Sequence, residues 1–211
     1  MRPLSKGPKP PVLVANENAW TAEYISDKVV GNKRRRWAHE QVVEALRAET
    51  FRKCMYCEDL PESVTWLHVE HVLPKAKFAE LVVDWSNLGF ACPRCNTAKS
   101  DYYDTTHPVL NPFVEDPRDH LEFCGGLVRA RHGSGKGYMS IAKMELARDG
   151  LCQRRMEQIE VVEALVRVWH LLGPGTAQDA VKEQIWDFAS PSSRFSATIA
   201  DHLRHIHFPR L

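Results

Sequence analysis

Four cysteines with metal-ligand spacing are the clearest chemical signal in this sequence. Cys54 and Cys57 form one Cys-x2-Cys pair, and Cys92 and Cys95 form a second pair after an interval of 34 residues. Two such pairs can give one Zn²⁺ its four thiolate ligands in a tetrahedral arrangement. Because a bound metal fixes both ends of the intervening segment, we predict a structural zinc site that frames residues 58–91.

The framed segment, together with the residue that follows Cys95, contains groups suited to hydrolysis of a phosphodiester bond. Glu70 supplies a carboxylate and Asn96 an amide oxygen, and such oxygen ligands suit a catalytic Mg²⁺ or Mn²⁺. His71 is a suitable general base for an attacking water, and Asn87 can hydrogen-bond across the loop and hold the His71 ring in its productive orientation. Each residue alone has an ordinary structural explanation, such as a turn for Asn87 or a helix cap for Asn96. Their combination inside the cysteine frame predicts a catalytic site.

Basic residues around this frame are candidate contacts for a phosphate backbone. Lys99 follows Asn96 by about one helical turn, and Lys75 follows the segment that contains His71. The formal net charge is only +1, so a nucleic acid must bind to a local basic patch. One dense basic run precedes the frame and consists of Lys33, Arg34, Arg35 and Arg36. Such runs are more often solvated surface, and we keep this one as a candidate phosphate contact because of its position.

The hydrophobic pattern predicts an α+β protein in three parts. The first, 1–36, is an N-terminal arm. It is extended over 1–14, where Pro10 and Pro11 disfavour a helix, then forms a short helix over 16–30 and ends in the basic run. The second, 37–104, is the zinc-framed module, with a helix over 37–51, a strand around 64–72 and a helix after Cys95. The third, 105–211, is a loop-rich segment with two short strands, followed by a C-terminal helical region with helices over 151–172, 176–189 and from about 193.

Two smaller expectations concern single residues. On the predicted strand, His68 shares a face with Glu70, which makes His68 a reserve candidate for binding the catalytic metal. Cys124 and Cys152 lie outside the two pairs, and we expect them to be buried free thiols.

The composition is that of a globular protein. Of the 211 residues, 44% are hydrophobic and 26% are charged, which excludes a wholly disordered chain. No apolar run approaches the roughly 20 residues that a membrane-spanning helix needs, and the N-terminal apolar piece is too short for a secretory signal. We therefore expect a cytoplasmic protein with no membrane partner, and in that compartment paired cysteines favour metal over disulfides.

The blocks C-x2-C, EHVLPK, WSNL and CPRCNTAK resemble the HNH endonuclease family, with its ββα-metal fold and accompanying zinc. The resemblance implies that 37–104 is an HNH nuclease module in which His71 is the general base and Glu70 occupies the metal-ligand position before it. It also implies that Asn87 is the middle asparagine of the motif, and Asn96 stands where the final histidine usually stands. The sequence is therefore an HNN variant, with Glu in place of the commoner Asp or His before the base.

A looser resemblance extends over most of residues 50–200. The segments DWSNLGFACPRCNTAK and HPVLNPFVEDPRDHLEF and the helical C-terminal half are similar to the HNH nucleases of Septu and retron-associated anti-phage systems. In that family an ATPase partner associates with the nuclease and controls it, which implies an ATPase partner here and a docking surface on the C-terminal helices.

The expected function is metal-dependent hydrolysis of phosphodiester bonds, in DNA as the expected substrate, with weak sequence specificity. Two alternatives stay open: a stand-alone restriction, homing or housekeeping HNH nuclease, and a non-enzymatic zinc-stabilised adaptor.

Overall fold

The computed structural model describes residues 1–30, 35–60 and 68–210, and for residues 28–30 it describes the backbone alone. Within these ranges lie seven α-helices: α1 (Pro11–Val30), α2 (Glu40–Thr50), α3 (Pro93–Lys99), α4 (Gly135–Lys143), α5 (Asp149–Leu171), α6 (Thr176–Asp187) and α7 (Ser196–His205). The four strands there are β1 (His68–His71), β2 (Leu88–Ala91), β3 (Leu121–Cys124) and β4 (Leu127–Ala130). The predicted α+β class and the mainly helical C-terminal region are confirmed. Lys33, Arg34 and residues 64–67 of the predicted strand lie outside the described residues.

A small ββα unit positions the candidate site. Strands β1 and β2 pair antiparallel, with Glu70 opposite Gly89 and His71 opposite Leu88. Helix α3 follows β2 directly and packs against β1. Its first residue is Pro93, which suits a helix N-terminus because the missing N–H would have no helical partner there. The same few residues therefore join the second cysteine pair to the strand that carries Glu70 and His71.

The N-terminal helix begins earlier than predicted. We expected Pro10 and Pro11 to keep residues 1–14 extended, and this was wrong for the part that starts at Pro11, where α1 begins. A proline in the first helical turn removes only an N–H that would be unpaired, and its fixed φ already suits the helix. Apolar burial stabilises the longer helix, because Leu13 is fully buried in a cluster with Val42 and Leu46 of α2.

The buried side chains of the described residues form three clusters. One joins α1, α2 and the β1–β2 region, and a second, made by α5, α6 and α7, includes Ile159, Val162, Ile185, Ile199 and Leu203. The third contains the four cysteines of the two pairs together with apolar residues of 110–197. This third cluster packs the β3–β4 hairpin and the start of α5 directly against the cysteine frame. The proposed boundaries between the three parts of the chain stay predictions.

The two remaining cysteines lie near the β3–β4 hairpin and α5. Cys124 is exposed and Cys152 is half-buried, so the prediction of a buried thiol was wrong for Cys124. Cys124 ends β3 just before the turn at Gly125 and Gly126, where its side chain faces solvent. No helix within the described ranges combines the length and the hydropathy needed to cross a membrane.

Candidate active site

The four paired cysteines form one buried cluster. Their sulfur atoms all lie within 4.8 Å of one another, and the Sγ atoms of Cys57 and Cys92 are 3.9 Å apart. Zn–S bonds of ~2.3 Å in a tetrahedron place neighbouring sulfurs ~3.8 Å apart, so this separation suits zinc. Cys92 also caps α3, since its Sγ accepts a hydrogen bond from the Cys95 N–H. The donor set and its burial therefore fit the predicted structural Zn²⁺.

Arg148 supplies a positive charge beside these thiolates. Its Nη1 donates to the Sγ of Cys95 at 3.6 Å and to the carbonyl oxygen of Glu145 at 3.0 Å. Burial acts to lower the pKa of Arg148, but the thiolates of Cys95 and Cys57 raise it above its ordinary value. Four thiolates around one Zn²⁺ carry a net negative charge, and Arg148 compensates part of it from the segment between α4 and α5.

A cavity of about 380 Å³ opens where β1, the loop after it and the C-terminal end of α3 meet. Glu70, His71, Lys75 and Asn96 all line this cavity. The structure thus brings together four residues that the sequence predicted for the site, although they are spread over 27 positions of the chain. Their catalytic and binding roles stay predictions, which the geometry below supports.

Glu70 is buried and held through one of its two carboxylate oxygens. Its Oε1 accepts a hydrogen bond from the Tyr56 hydroxyl at 3.1 Å and lies 2.7 Å from Nζ of Lys99. Burial raises the pKa of Glu70, while the charge and hydrogen bond of Lys99 and the hydrogen bond of Tyr56 act to lower it. The contacts from Tyr56 and Lys99 both fall on Oε1, which leaves Oε2 as the atom to bind a ligand.

His71 is buried with a defined ring orientation. Its Nε2 lies 2.8 Å from the Val82 carbonyl oxygen, which can only accept, so Nε2 carries the proton and Nδ1 is the nitrogen that can take one. The Trp37 ring packs edge-on against the imidazole at a centroid distance of 5.3 Å. Burial and the positive charge of Lys75 lower the pKa of His71 to about 3, against the opposite effect of the Val82 hydrogen bond. His71 is therefore neutral at neutral pH, as a general base must be.

Asn87 hydrogen-bonds across the loop around His71, as the sequence suggested, while its role in catalysis stays a prediction. Its Oδ1 accepts from the Leu73 N–H at 2.7 Å, and its Nδ2 donates to the carbonyl oxygens of Leu73 at 3.0 Å and Leu81 at 3.1 Å. The next carbonyl after Leu81 is that of Val82, which holds the His71 ring. Asn87 thus fixes the backbone that orients His71.

The predicted phosphate contacts differ in their exposure. Lys99 is 1% exposed and points into the protein, so it does not lie on the surface as a direct phosphate contact requires. Lys75 lies at the cavity, with Nζ 5.4 Å from the centre of the Trp37 ring. Arg35 is exposed, whereas Arg36 forms an ion pair with Glu23, with its Nε 2.8 Å from the carboxylate.

Other residues of the site were missed or misjudged from the sequence. His68, the reserve metal candidate, is exposed at the start of β1 and is absent from the residues that line the cavity. Tyr56, Trp37 and Val82 contact the predicted catalytic residues directly but were not predicted. Only Tyr56 carried a signal, because it lies inside the first cysteine pair and so had to be close to the frame.

The segment that contains the candidate site matches a known protein family. Residues 54–102 match the model of the HNH endonuclease family, and this range contains both cysteine pairs, the β1–β2 hairpin and α3. The fold and the match together define an HNH endonuclease module.

Two relatives show which family of HNH endonucleases this chain resembles. Septu protein PtuB of Bacillus thuringiensis is 30% identical over 94% of this chain and 80% of that protein. Septu protein PtuB of Bacillus mycoides (strain KBAB4) is 28% identical over 69% of this chain and 59% of that protein. The chain therefore belongs to the Septu PtuB family of HNH endonucleases, and both resemblances seen in the sequence are confirmed.

Proposed function

We propose that this protein is an endonuclease that hydrolyses phosphodiester bonds in nucleic acid, with DNA as the expected substrate. The observation that carries the proposal is the single cavity lined by Glu70, His71 and Asn96, inside the segment that matches the HNH family. A zinc-stabilised adaptor accounts for the cysteines equally well. It gives no reason for a buried carboxylate, a neutral histidine and an amide to share one cavity.

In this proposal His71 activates the attacking water. Its Nε2–H is committed to the Val82 carbonyl, which leaves Nδ1 to accept the proton from water. Asn87 keeps the ring in this orientation by tying the loop that ends at Leu81. Trp37 closes one side of the ring and limits its rotation.

The oxygen atoms of Glu70 and Asn96 are suitable ligands for Mg²⁺ or Mn²⁺. Carboxylate and amide oxygens are the hard donors these ions prefer, and two protein ligands leave positions for phosphate oxygens and water. When bound there, the ion would polarise the scissile phosphate and stabilise the leaving 3′ oxygen. Of the predicted phosphate contacts, we propose that Lys75 and Arg35 bind the substrate backbone, since Lys75 lines the cavity and Arg35 is exposed.

We further propose that this nuclease is the effector of a cytoplasmic bacterial anti-phage system and works with a PtuA-like ATPase partner. The support is the similarity to two Septu PtuB proteins, of which the first extends over 94% of this chain. Target choice would then come from the ATPase partner, in line with the weak sequence specificity expected of this chain.

The test is a cleavage assay with zinc-loaded protein on supercoiled plasmid, single-stranded DNA and RNA. Each substrate is incubated with Mg²⁺, with Mn²⁺ and with no added divalent ion, with and without the ATPase encoded beside the gene. We expect cleavage of DNA that needs the divalent ion and increases in the presence of the ATPase. Efficient cleavage by the protein alone favours a stand-alone nuclease, and no cleavage under any of these conditions favours the adaptor.

A further inference from the structure

Two buried side chains reach Glu70 from opposite ends of the cysteine frame. Tyr56 lies between Cys54 and Cys57, is 0% exposed, and donates its hydroxyl to Glu70 Oε1 at 3.1 Å. Lys99 is the last residue of α3, whose first turn carries the second cysteine pair, and its Nζ lies 2.7 Å from the same Oε1. Both contacts therefore fall on one carboxylate oxygen.

Lys99 also holds the residue after Glu70. Its Nζ donates to the His71 carbonyl oxygen at 3.0 Å, so one ammonium group binds a side chain and a backbone atom of adjacent residues on β1. Charge-assisted hydrogen bonds in a dry interior are the stronger kind and have narrow geometry. The arrangement fixes the Glu70 carboxylate, and it fixes the β1 backbone from which the His71 ring projects.

We propose that Tyr56 and Lys99 are positioning residues that hold Glu70 so that Oε2 faces the divalent metal. The inference rests on the proposed function, since it assigns these residues a role toward the catalytic ion. Groups that orient a metal ligand typically change metal affinity or activity 10- to 100-fold when they are removed. Because both side chains belong to the segments that hold the four cysteines, the structural zinc site and the catalytic carboxylate form one connected unit.

The two residues have separable effects. Tyr56→Phe removes one hydrogen bond to Oε1 and leaves the ion pair in place, so it acts on the carboxylate alone. Lys99→Met removes the contacts to both Glu70 and His71, so it disturbs the metal ligand and the base together. Tyr138→Phe and Lys182→Met are matched controls, because Tyr138 is 66% exposed on α4 and Lys182 lies on α6.

The experiment measures Mn²⁺ binding to zinc-loaded protein by the loss of the free-ion electron paramagnetic resonance signal, followed by cleavage rates across a Mn²⁺ titration. We expect Tyr56→Phe to bind Mn²⁺ about tenfold more weakly and to recover the wild-type rate at saturating Mn²⁺. We expect Lys99→Met to remain at least about tenfold slower even at saturating Mn²⁺, since His71 is also displaced. Zinc content and far-UV circular dichroism of Tyr56→Phe should equal those of wild type.

The inference is wrong if Tyr56→Phe matches Tyr138→Phe in both Mn²⁺ affinity and the metal dependence of cleavage. That result leaves the proposed nuclease function intact, because wild type still binds the ion and cuts. Wild-type protein that neither binds Mn²⁺ nor cuts contradicts the function and the inference together. If Lys99→Met does not fold, Tyr56→Phe alone decides the question.

Discussion

The Lys99–Glu70 pair gives a quantitative prediction for stability. The two charged atoms are 2.7 Å apart, and the side chains are 1% and 2% exposed. At an effective dielectric constant of about 20, the gross attraction is ~6 kcal/mol, most of which is cancelled by the cost of removing both charges from water. Removing only one partner leaves a buried charge without compensation and typically costs ~3–5 kcal/mol. We therefore expect Lys99→Met to lower the free energy of unfolding by ~3–5 kcal/mol.

The effect should shrink when the carboxylate is neutralised first. In Glu70→Gln the amide has nearly the same shape, and its oxygen can still accept the Tyr56 hydroxyl hydrogen bond. In the Glu70→Gln background, Lys99→Met no longer leaves a buried carboxylate without its cationic partner. We expect the added cost of Lys99→Met to fall by ~2–3 kcal/mol relative to its cost in wild type, which is within the range of interaction energies for contacting residues.

The assay is urea unfolding, monitored by far-UV circular dichroism, of zinc-saturated wild type, Lys99→Met, Glu70→Gln and the double variant. Unchanged m-values are the check that the transitions are comparable. Lys182→Met is the control and should stay within ~0.5 kcal/mol of wild type. If the effects of Lys99→Met and Glu70→Gln add within ~0.5 kcal/mol, the buried pair does not couple these residues and the reasoning fails.

Two further predictions concern the zinc frame and a close packing contact. Cys54→Ser, or removal of zinc with a chelator, should unfold the module because the fold and the site share one metal; a cooperatively folded, zinc-free protein by circular dichroism would contradict this. Gly126→Ala should lower the free energy of unfolding by ~1–3 kcal/mol, because a Cβ there would collide with the backbone oxygen of Cys152. Gly150→Ala is its control, since the nearest neighbour there is the end of a flexible arginine at 3.6 Å and alanine is the better helix former; equal thermal unfolding of the two variants would show that the collision is relieved without cost.

The cysteine frame, the strand that carries Glu70 and His71, and the C-terminal helices were predictable because each leaves a local pattern. Cysteine spacing indicates a shared metal. Apolar periodicity predicted two helices whose bounds lie within a few residues of those of α5 and α6. The start of α1 at Pro11 was missed, since proline is compatible with both an extended chain and a first helical turn.

The environment of the site residues could not be predicted in the same way. The spacing of Lys99 from Asn96, about one helical turn, is compatible with a surface lysine that contacts phosphate and with a buried lysine. Only the packing of α3 against β1 decides that the ammonium group is buried against Glu70. Likewise, a hydrogen bond from Asn87 across the loop could be expected from the sequence, but only the path of residues 72–82 decides that its partners are the Leu73 and Leu81 backbone groups. These contacts depend on tertiary packing, which single-sequence patterns do not encode.

The central claim is that His71 is the general base of a metal-dependent nuclease. The most direct test is single-turnover cleavage of plasmid DNA with saturating Mn²⁺, together with any partner that wild type needs. It compares wild type, His71→Ala and the exposed-site control His132→Ala, all zinc-loaded and folded by circular dichroism. We expect His71→Ala to lose at least about 100-fold in rate, the usual contribution of a general base, while His132→Ala keeps the wild-type rate. Cleavage by His71→Ala at the wild-type rate would contradict the account.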